Sequence, residues 1–410
     1  MIKTSIFIVP RLSTAWQGNE AGWITSSGWA SAGEQLWGEA LVATVDGIFN
    51  PAEARLFPRP VSSSLNKENY SLIRKSIPEF LITAYKDWRL YQSKKGAWPI
   101  ENGTVLYNKK VVLVWERHDL FHGPGRSLAD KFKAPLVVSV EAPVVWEAEK
   151  WGVNRPGWGK WLETKFEAKS LKNADLVSCV SDEVKQKVIQ LGVSSNKVIV
   201  SPNRVDGSLF HPQVDGSLIA QKFNLTNKRV IGWTGSFRPF HGLDTVVKAF
   251  KMVNNRYNDT VLILVGSGQE HSRVQKLVCR LGLVDSVIFT GRQPFTVIPQ
   301  IVSNFYISIV SASSAEGFHY SPLKLREYQA VGSAVIAPKA GNLTELFSEG
   351  RDLLFYNAGD ENDLAEKIFL LLENKTLHNS LVKRGTQLIE EDGTWLHELK
   401  RVAKLLNIEQ

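Results

Sequence analysis

A chain of 410 residues with 43% apolar and 22% charged content has material for two globular cores and is too apolar for a disordered polymer. Two cysteines exclude a disulfide framework, no Cys/His cluster has zinc-ligand spacing, and no stretch approaches the ~20 apolar residues of a membrane-spanning helix. A formal charge of +8 admits an anionic membrane surface or an acidic substrate, whereas the scattered basic residues and the lack of a nucleic-acid-binding motif argue against nucleic acid.

In chain order, Thr4–Pro10 reads as a buried first strand. Residues 11–32, rich in Gly, Ser and Trp, read as a long acceptor-facing loop. Residues 33–45 read as a helix running into a strand, 46–63 as irregular, and 64–95 as one or two helices broken at Pro78. Strands then alternate with helices: Lys110–Glu116, Pro135–Glu141, Asp175–Ser181 and Lys197–Pro202 are strands, with helices near 124–133, 158–173 and 182–192. Their continuous apolar runs predict a parallel sheet covered on both faces. Both cysteines, Cys179 and Cys279, sit in apolar segments and are expected in the core. The N-terminal apolar run is too short for a signal peptide, so a cytoplasmic location is expected.

Residues 203–228 are turn-rich and predict a domain boundary. The alternation restarts with strands at Arg229–Thr234, Thr260–Val265, Ser286–Thr290, Phe305–Val310, Ala334–Ala337 and Leu353–Tyr356. Helices start near Gly242, Gln269, Phe295, Ser321, Leu343 and Glu361, giving six βα units of a doubly wound α/β domain. The predicted division is 1–202, 203–390 and a final helical segment 391–410.

Two stretches carry chemistry. In Gly235-Ser236-Phe-Arg238-Pro-Phe-His241-Gly242 a strand enters a Gly-bearing turn before a helix. Gly235 permits close backbone approach, Arg238 suits a phosphate, and His241 can donate to the same oxygens. In Ser321-Pro322-Leu323-Lys324-Leu-Arg-Glu327-Tyr-Gln-Ala-Val-Gly332, Ser321 reads as the N-cap, Pro322 as the first helical residue and Gly332 as the stop. Lys324 and Glu327 share one helix face, and the amides at 321–323 form an anion site. Two cations and a helix tip suit a diphosphate; a carboxylate suits ribose hydroxyls. The plain alternatives are a βα turn with an exposed Arg and a capped helix with a surface Lys–Glu pair.

Together these stretches resemble the retaining glycosyltransferase family four, which has the GT-B fold. Ala174–Ser181, Lys197–Asp206 and Gly341-Asn-Leu-Thr-Glu345 add to the resemblance, which is strongest over 174–212 and 229–375. It implies an α/β chain of two Rossmann-like doubly wound parallel-sheet domains facing across a cleft. The C-terminal domain would take a nucleotide-sugar donor, the N-terminal domain an acceptor sugar, glycolipid or small molecule, and the last helix would cross back to the first domain. The donor is a substrate; neither cofactor nor metal is expected. Glu327 matches the ribose-binding second Glu of the family's Glu-x7-Glu motif, whereas His319 stands where the first Glu is expected and is a catalytic candidate to hydrogen-bond a sugar hydroxyl or the departing phosphate. Glu141 is the resemblance's candidate to polarise the acceptor hydroxyl, with His118 or His122 as alternatives. Trp146, Trp151, Trp158 and Trp161 follow Glu141 as candidates for sugar stacking or core packing. The basic charge makes peripheral contact with the anionic inner membrane face a further expectation. Competing functions are a sugar-nucleotide epimerase of the same fold and a sugar-nucleotide-binding protein without turnover.

Overall fold

A computed structural model describes residues 2–13, 20–56, 77–102, 104–318 and 321–409. The chain divides into two units, Met1–Pro202 with Trp395–Gln410, and Asn203–Thr394.

The first unit holds a seven-stranded sheet of β1 (Ile2–Ile8), β2 (Glu39–Ala43), β3 (Ile48–Phe49), β4 (Lys109–Arg117), β5 (Leu136–Val140), β6 (Leu176–Cys179) and β7 (Val198–Val200). Its order is β3-β2-β1-β4-β5-β6-β7, all parallel except the short edge strand β3. Residues 20–37 form an eighteen-residue helix rather than the expected loop. Its glycines and serines are helix-poor by propensity but permit close approach. A Cβ at Gly33 would lie 2.5 Å from Ser5 Oγ on β1, and one at Gly28 would lie 2.5 Å from Trp395 Nε1. Trp29 packs on Trp115 (centroids 4.2 Å apart) and on Trp395 (4.8 Å), so burial overrides propensity. The final helix, Trp395–Leu405, is held in this unit by that contact and by Arg401, whose guanidinium donates to Val200 O at 2.8 Å. Cys179 is buried and its thiol is pushed up to about 12 by desolvation. Cys279 is exposed, because it lies on the outer face of helix His271–Arg280, where Val274 and Val278 point inward.

The second unit holds β8 (Arg229–Thr234), β9 (Thr260–Val265), β10 (Val287–Gly291), β11 (Ile307–Ile309), β12 (Ala334–Pro338) and β13 (Leu354–Tyr356). The sheet is parallel throughout in the order β10-β9-β8-β11-β12-β13. Order reverses between β8 and β11, the place where open α/β sheets leave a crevice at the strand carboxyl ends. Both faces are covered. Along β9, Val261, Ile263 and Val265 enter one core cluster, and Leu262 and Leu264 the other. This period-two split explains why the strand is apolar without interruption. Both units have the doubly wound parallel α/β architecture expected of them.

Candidate functional site

The two predicted motifs hang from the carboxyl ends flanking the β8/β11 switch. Thr234 ends β8, and Gly235 follows with φ 147°, a conformation that favours glycine. Gly235 N donates to Val265 O at 2.9 Å, and Phe237 N donates to Ser267 O at 3.0 Å. The turn after β8 is thus laced to the turn after β9. The fit leaves no room for side chains: a Cβ on Gly266 (φ 124°) would sit 1.9 Å from Gly235 O. Ser236 and Arg238 are exposed on the outside of the turn. Pro239–His241 makes one tight helical turn, and Gly242 (φ 58°) starts the next helix with its would-be Cβ 2.9 Å from Ser313 Cα.

His241 is buried edge-on against Trp233, with centroids 5.4 Å apart. Desolvation, then the charge of Lys324, pushes its pKa down to about 2, so the ring is neutral. Its Nδ1 has no hydrogen-bond partner among the described residues.

Leu323–Ala330 is the eight-residue signature helix. It ends in a double backbone cap, with Gly332 N donating to Gln329 O (3.2 Å) and Ser333 N to Tyr328 O (3.0 Å); Gly332 supplies the left-handed φ of 84°. Its first residues differ from expectation. Pro322 stands outside the helix and has no N–H to offer, so the open amides are those of Leu323 and Lys324. Ser321 does not cap: its Oγ accepts from Asn203 N at 3.0 Å, and its carbonyl accepts from Asn203 Nδ2 at 2.8 Å. That partner is 118 residues away, so no local signal marks it.

Tyr328 pins the helix to β8. Its buried hydroxyl accepts from Thr234 N at 2.8 Å and bonds Thr234 Oγ1 at 3.0 Å. Tyr328→Phe would leave two buried groups unpaired. It is expected to cost about 1–3 kcal/mol in urea unfolding.

Lys324 then points under the Gly235 turn. A Cβ on Gly235 would lie 2.8 Å from Lys324 Nζ, and the ammonium sits 4.1 Å from the centroid of the Trp233 ring. Nζ is buried with no hydrogen-bond partner among the described residues. Burial lowers its pKa to about 7, against the opposing pull of Glu327. Burial likewise raises Glu327 to about 7, against the pull of Lys324. A second orphan donor, Asn342 Nδ2, lies in the loop after β12, where Gly341 (φ 54°) packs against Phe318 O. Such uncompensated buried donors are costly without a ligand.

The remaining candidates belong to other places. His319 lies outside the described residues. Glu141 follows β5 in the first unit, partly exposed and paired to Arg117 at 3.2 Å. His118 is not open to solvent: its Nε2 lies 2.9 Å from Glu167 Oε1, in a pair with side chains 1% and 0% exposed. Glu167 also accepts from Val144 N (2.6 Å) and Val145 N (3.1 Å), so His118 braces the loop after β5 rather than facing an acceptor. His122 is exposed, its Nδ1 2.9 Å from Gly123 O. Of the four tryptophans, Trp158 donates to Asp87 Oδ2 at 3.1 Å, Trp146 is part-buried beneath Lys150 (3.9 Å), and Trp151 and Trp161 are exposed.

Residues 217–388 match the family model "Glycosyl transferases group 1". Over that stretch the second unit is similar to a group 1 glycosyl transferase domain. The match spans β8 to β13 and so contains every orphan donor described above. The chain is 28% identical over 242 residues to the colanic acid biosynthesis glycosyl transferase WcaI of Escherichia coli K12, covering 56% of this chain and 58% of that protein. It is 23% identical over 222 residues to N-acetyl-alpha-D-glucosaminyl L-malate synthase of Bacillus anthracis, covering 54% and 56%. It thus spans little more than half the length of these relatives. Among solved structures, Anabaena HepE, crystallised with UDP and glucose, aligns with a TM-score of 0.65 at 18% identity, covering 98% of this chain and 99% of that one. This likeness covers both units and shows a GT-B type of fold.

Proposed function

We propose that the protein transfers a sugar from a nucleotide-sugar donor to an acceptor hydroxyl, with retention of anomeric configuration. The observation that carries this reading is the Lys324 ammonium, buried without a hydrogen-bond partner beneath the Gly235 turn and beside the open amides of Leu323 and Lys324. A departing diphosphate gathers negative charge as the glycosidic bond breaks. Fixed donors in a desolvated site stabilise that charge without reorganising. Lys324 and the helix amides supply them from inside, and Arg238 closes on the phosphates from the exposed side. Glu327, once ionised, accepts from the ribose hydroxyls. His241 is neutral and holds Trp233 in place under Lys324.

On the first unit, Glu141 is the candidate to polarise the acceptor hydroxyl. Its carboxylate keeps access to solvent while Arg117 fixes its direction. The retained configuration rests on the family likeness, and a metal-free reaction on the sequence, which has no Asp-x-Asp in the expected context. The HepE complexes with UDP and UDP-glucose make UDP-sugars the first donors to try.

The test is incubation with labelled UDP-, GDP- and ADP-sugars plus an acceptor panel, scored for free nucleotide and glycosylated product. One donor should give product whose rate falls at least 100-fold in Glu327→Ala, and Glu141→Gln should lower turnover more than donor affinity. Release of nucleotide with full activity in Glu327→Ala would refute the site. Interconverted sugar without acceptor would identify an epimerase.

A further inference from the structure

The helix Glu79–Ser93 is turned inside out. Its buried positions are polar: Thr83 and Asp87 face inward, and Lys94 follows at its end. Asp87 is gripped by Arg155 through two bonds of 2.8 and 3.0 Å and by Trp158 Nε1. Lys94 reaches Asp119 at 2.9 Å, which Arg11 also holds with two bonds of 2.8 Å. Desolvation would raise the Asp119 carboxyl, but Lys94 and Arg11 together hold it well below the usual range. The helix is therefore fixed by ion pairs on the side where most helices bury apolar residues.

Leu90 packs inward against the cluster of Leu120, Phe121, Val145 and Leu162, but most of the helix's large apolar residues face out. Phe80, Leu81, Tyr85, Trp88 and Tyr91 are all exposed, Tyr85 to 56% and Trp88 to 55%. Their spacing keeps them on one face. The patch continues through Tyr91 to Phe166 (6.2 Å) and from Phe166 to the exposed Trp161 (5.1 Å). Contiguous apolar surface of this kind on a folded unit marks an interaction site.

Charge decides what it meets. The exposed charges on this stretch are Lys86, Arg89 and Lys95 against Glu79 at its start, since Asp87 and Lys94 are neutralised inside. The Lys95 ammonium lies 4.5 Å from the Tyr91 ring centroid and the Arg89 guanidinium 5.9 Å from that of Tyr85, so both cations ride on the aromatic face. Tyr and Trp rings with flanking Lys and Arg are the composition of a helix lying in a bilayer interface. The face is a convex helix surface of fifteen residues, roughly 22 Å long, rather than a groove for a peptide.

We infer that the outer face of Glu79–Ser93, with Trp161, docks the protein peripherally on an anionic lipid bilayer. The rings enter the headgroup layer, the cations meet lipid phosphates, and the ion pairs beneath keep the helix rigid while they do. The inference stands apart from the sugar-transfer reading, and its test contains no nucleotide.

Vesicles of phosphatidylcholine alone, or of an equimolar mixture with phosphatidylglycerol, are sedimented with the full chain. The wild type is expected to co-sediment with the anionic vesicles, less as salt rises, and weakly with the neutral ones. The double variant Tyr85→Ser/Trp88→Ser should lose affinity roughly tenfold or more with an unchanged circular-dichroism spectrum and Tm. Lys86→Gln/Lys95→Gln should erase the preference for anionic lipid. No binding by the wild type, or equal binding by the serine variant, overturns the inference. So does a dimer of the wild type in solution that the serine variant abolishes, which would assign the face to a second copy.

Discussion

Lys324→Met is expected to weaken nucleotide binding while leaving the fold as stable as before or more so. Calorimetry with UDP as the probe should show affinity roughly 10- to 100-fold lower, the worth of a charge-assisted hydrogen bond of ~1.5–3 kcal/mol. Stability should move the other way because the native state carries a burial penalty. Lys324 falls to about 7 in the fold from an ordinary value of 10.5. Between those values the native state holds fewer protons than the unfolded one, so the wild type gains stability as pH rises through the window. At neutral pH the penalty is still largely present, and methionine removes it while filling the space. Glu327, already raised to about 7 by burial, then takes up a proton instead of standing as a lone buried charge.

The same group gives binding a pH signature. A diphosphate beside Nζ favours the ammonium, so the pKa of Lys324 rises in the complex and binding takes up a proton above pH ~7. Wild-type affinity should fall by up to about tenfold per unit as pH increases through that region, and Lys324→Met should flatten the profile. A variant that binds UDP as tightly as the wild type, or a wild-type profile that is flat from pH 7 to 9, would remove Lys324 from the phosphate site.

Gly266→Ala is expected to destabilise the second unit by about 3 kcal/mol or more, with loss of nucleotide binding. Two costs combine. The φ of 124° is one that residues with a Cβ rarely adopt, and the new methyl would lie 1.9 Å from Gly235 O. Because the clash is with backbone, no rotamer relieves it, and the turn that covers Lys324 must move. Gly282→Ala is the control. Its φ of 67° is also left-handed, but nothing lies within 4 Å, so only about 1 kcal/mol is expected. Equal urea midpoints for the two variants would show that the close approach of these turns has no energetic weight.

Much of the architecture was legible because its causes are local. The strand Thr260–Val265 matches its apolar run to the residue, since an unbroken apolar run between polar turns means a strand covered on both faces. Gly332 stops its helix as read, because a left-handed residue there needs no distant partner. Lys324 and Glu327 share a helix face for the same reason. The helix at 20–37 is not legible locally, because its Gly and Ser content is a poor helix signal until β1 and Trp395 are against it. Nor did anything local tell that helix 79–93 would bury Asp87 and expose Trp88, because Arg155 decides it from 68 residues away.

The sequence by itself determined the alternation of strands and helices, the turns that carry glycine, and which cation and carboxylate lie one helical turn apart. Only the tertiary structure decided that Lys324 is a buried ammonium under the Gly235 turn. It also decided that Asn203 takes Ser321 away from capping, that Tyr328 ties the helix to β8, and that His118 is spent on Glu167. Periodicity and φ are properties of neighbouring residues. Desolvation and hydrogen-bond partnership arise from groups that meet only when strands far apart in sequence are brought side by side.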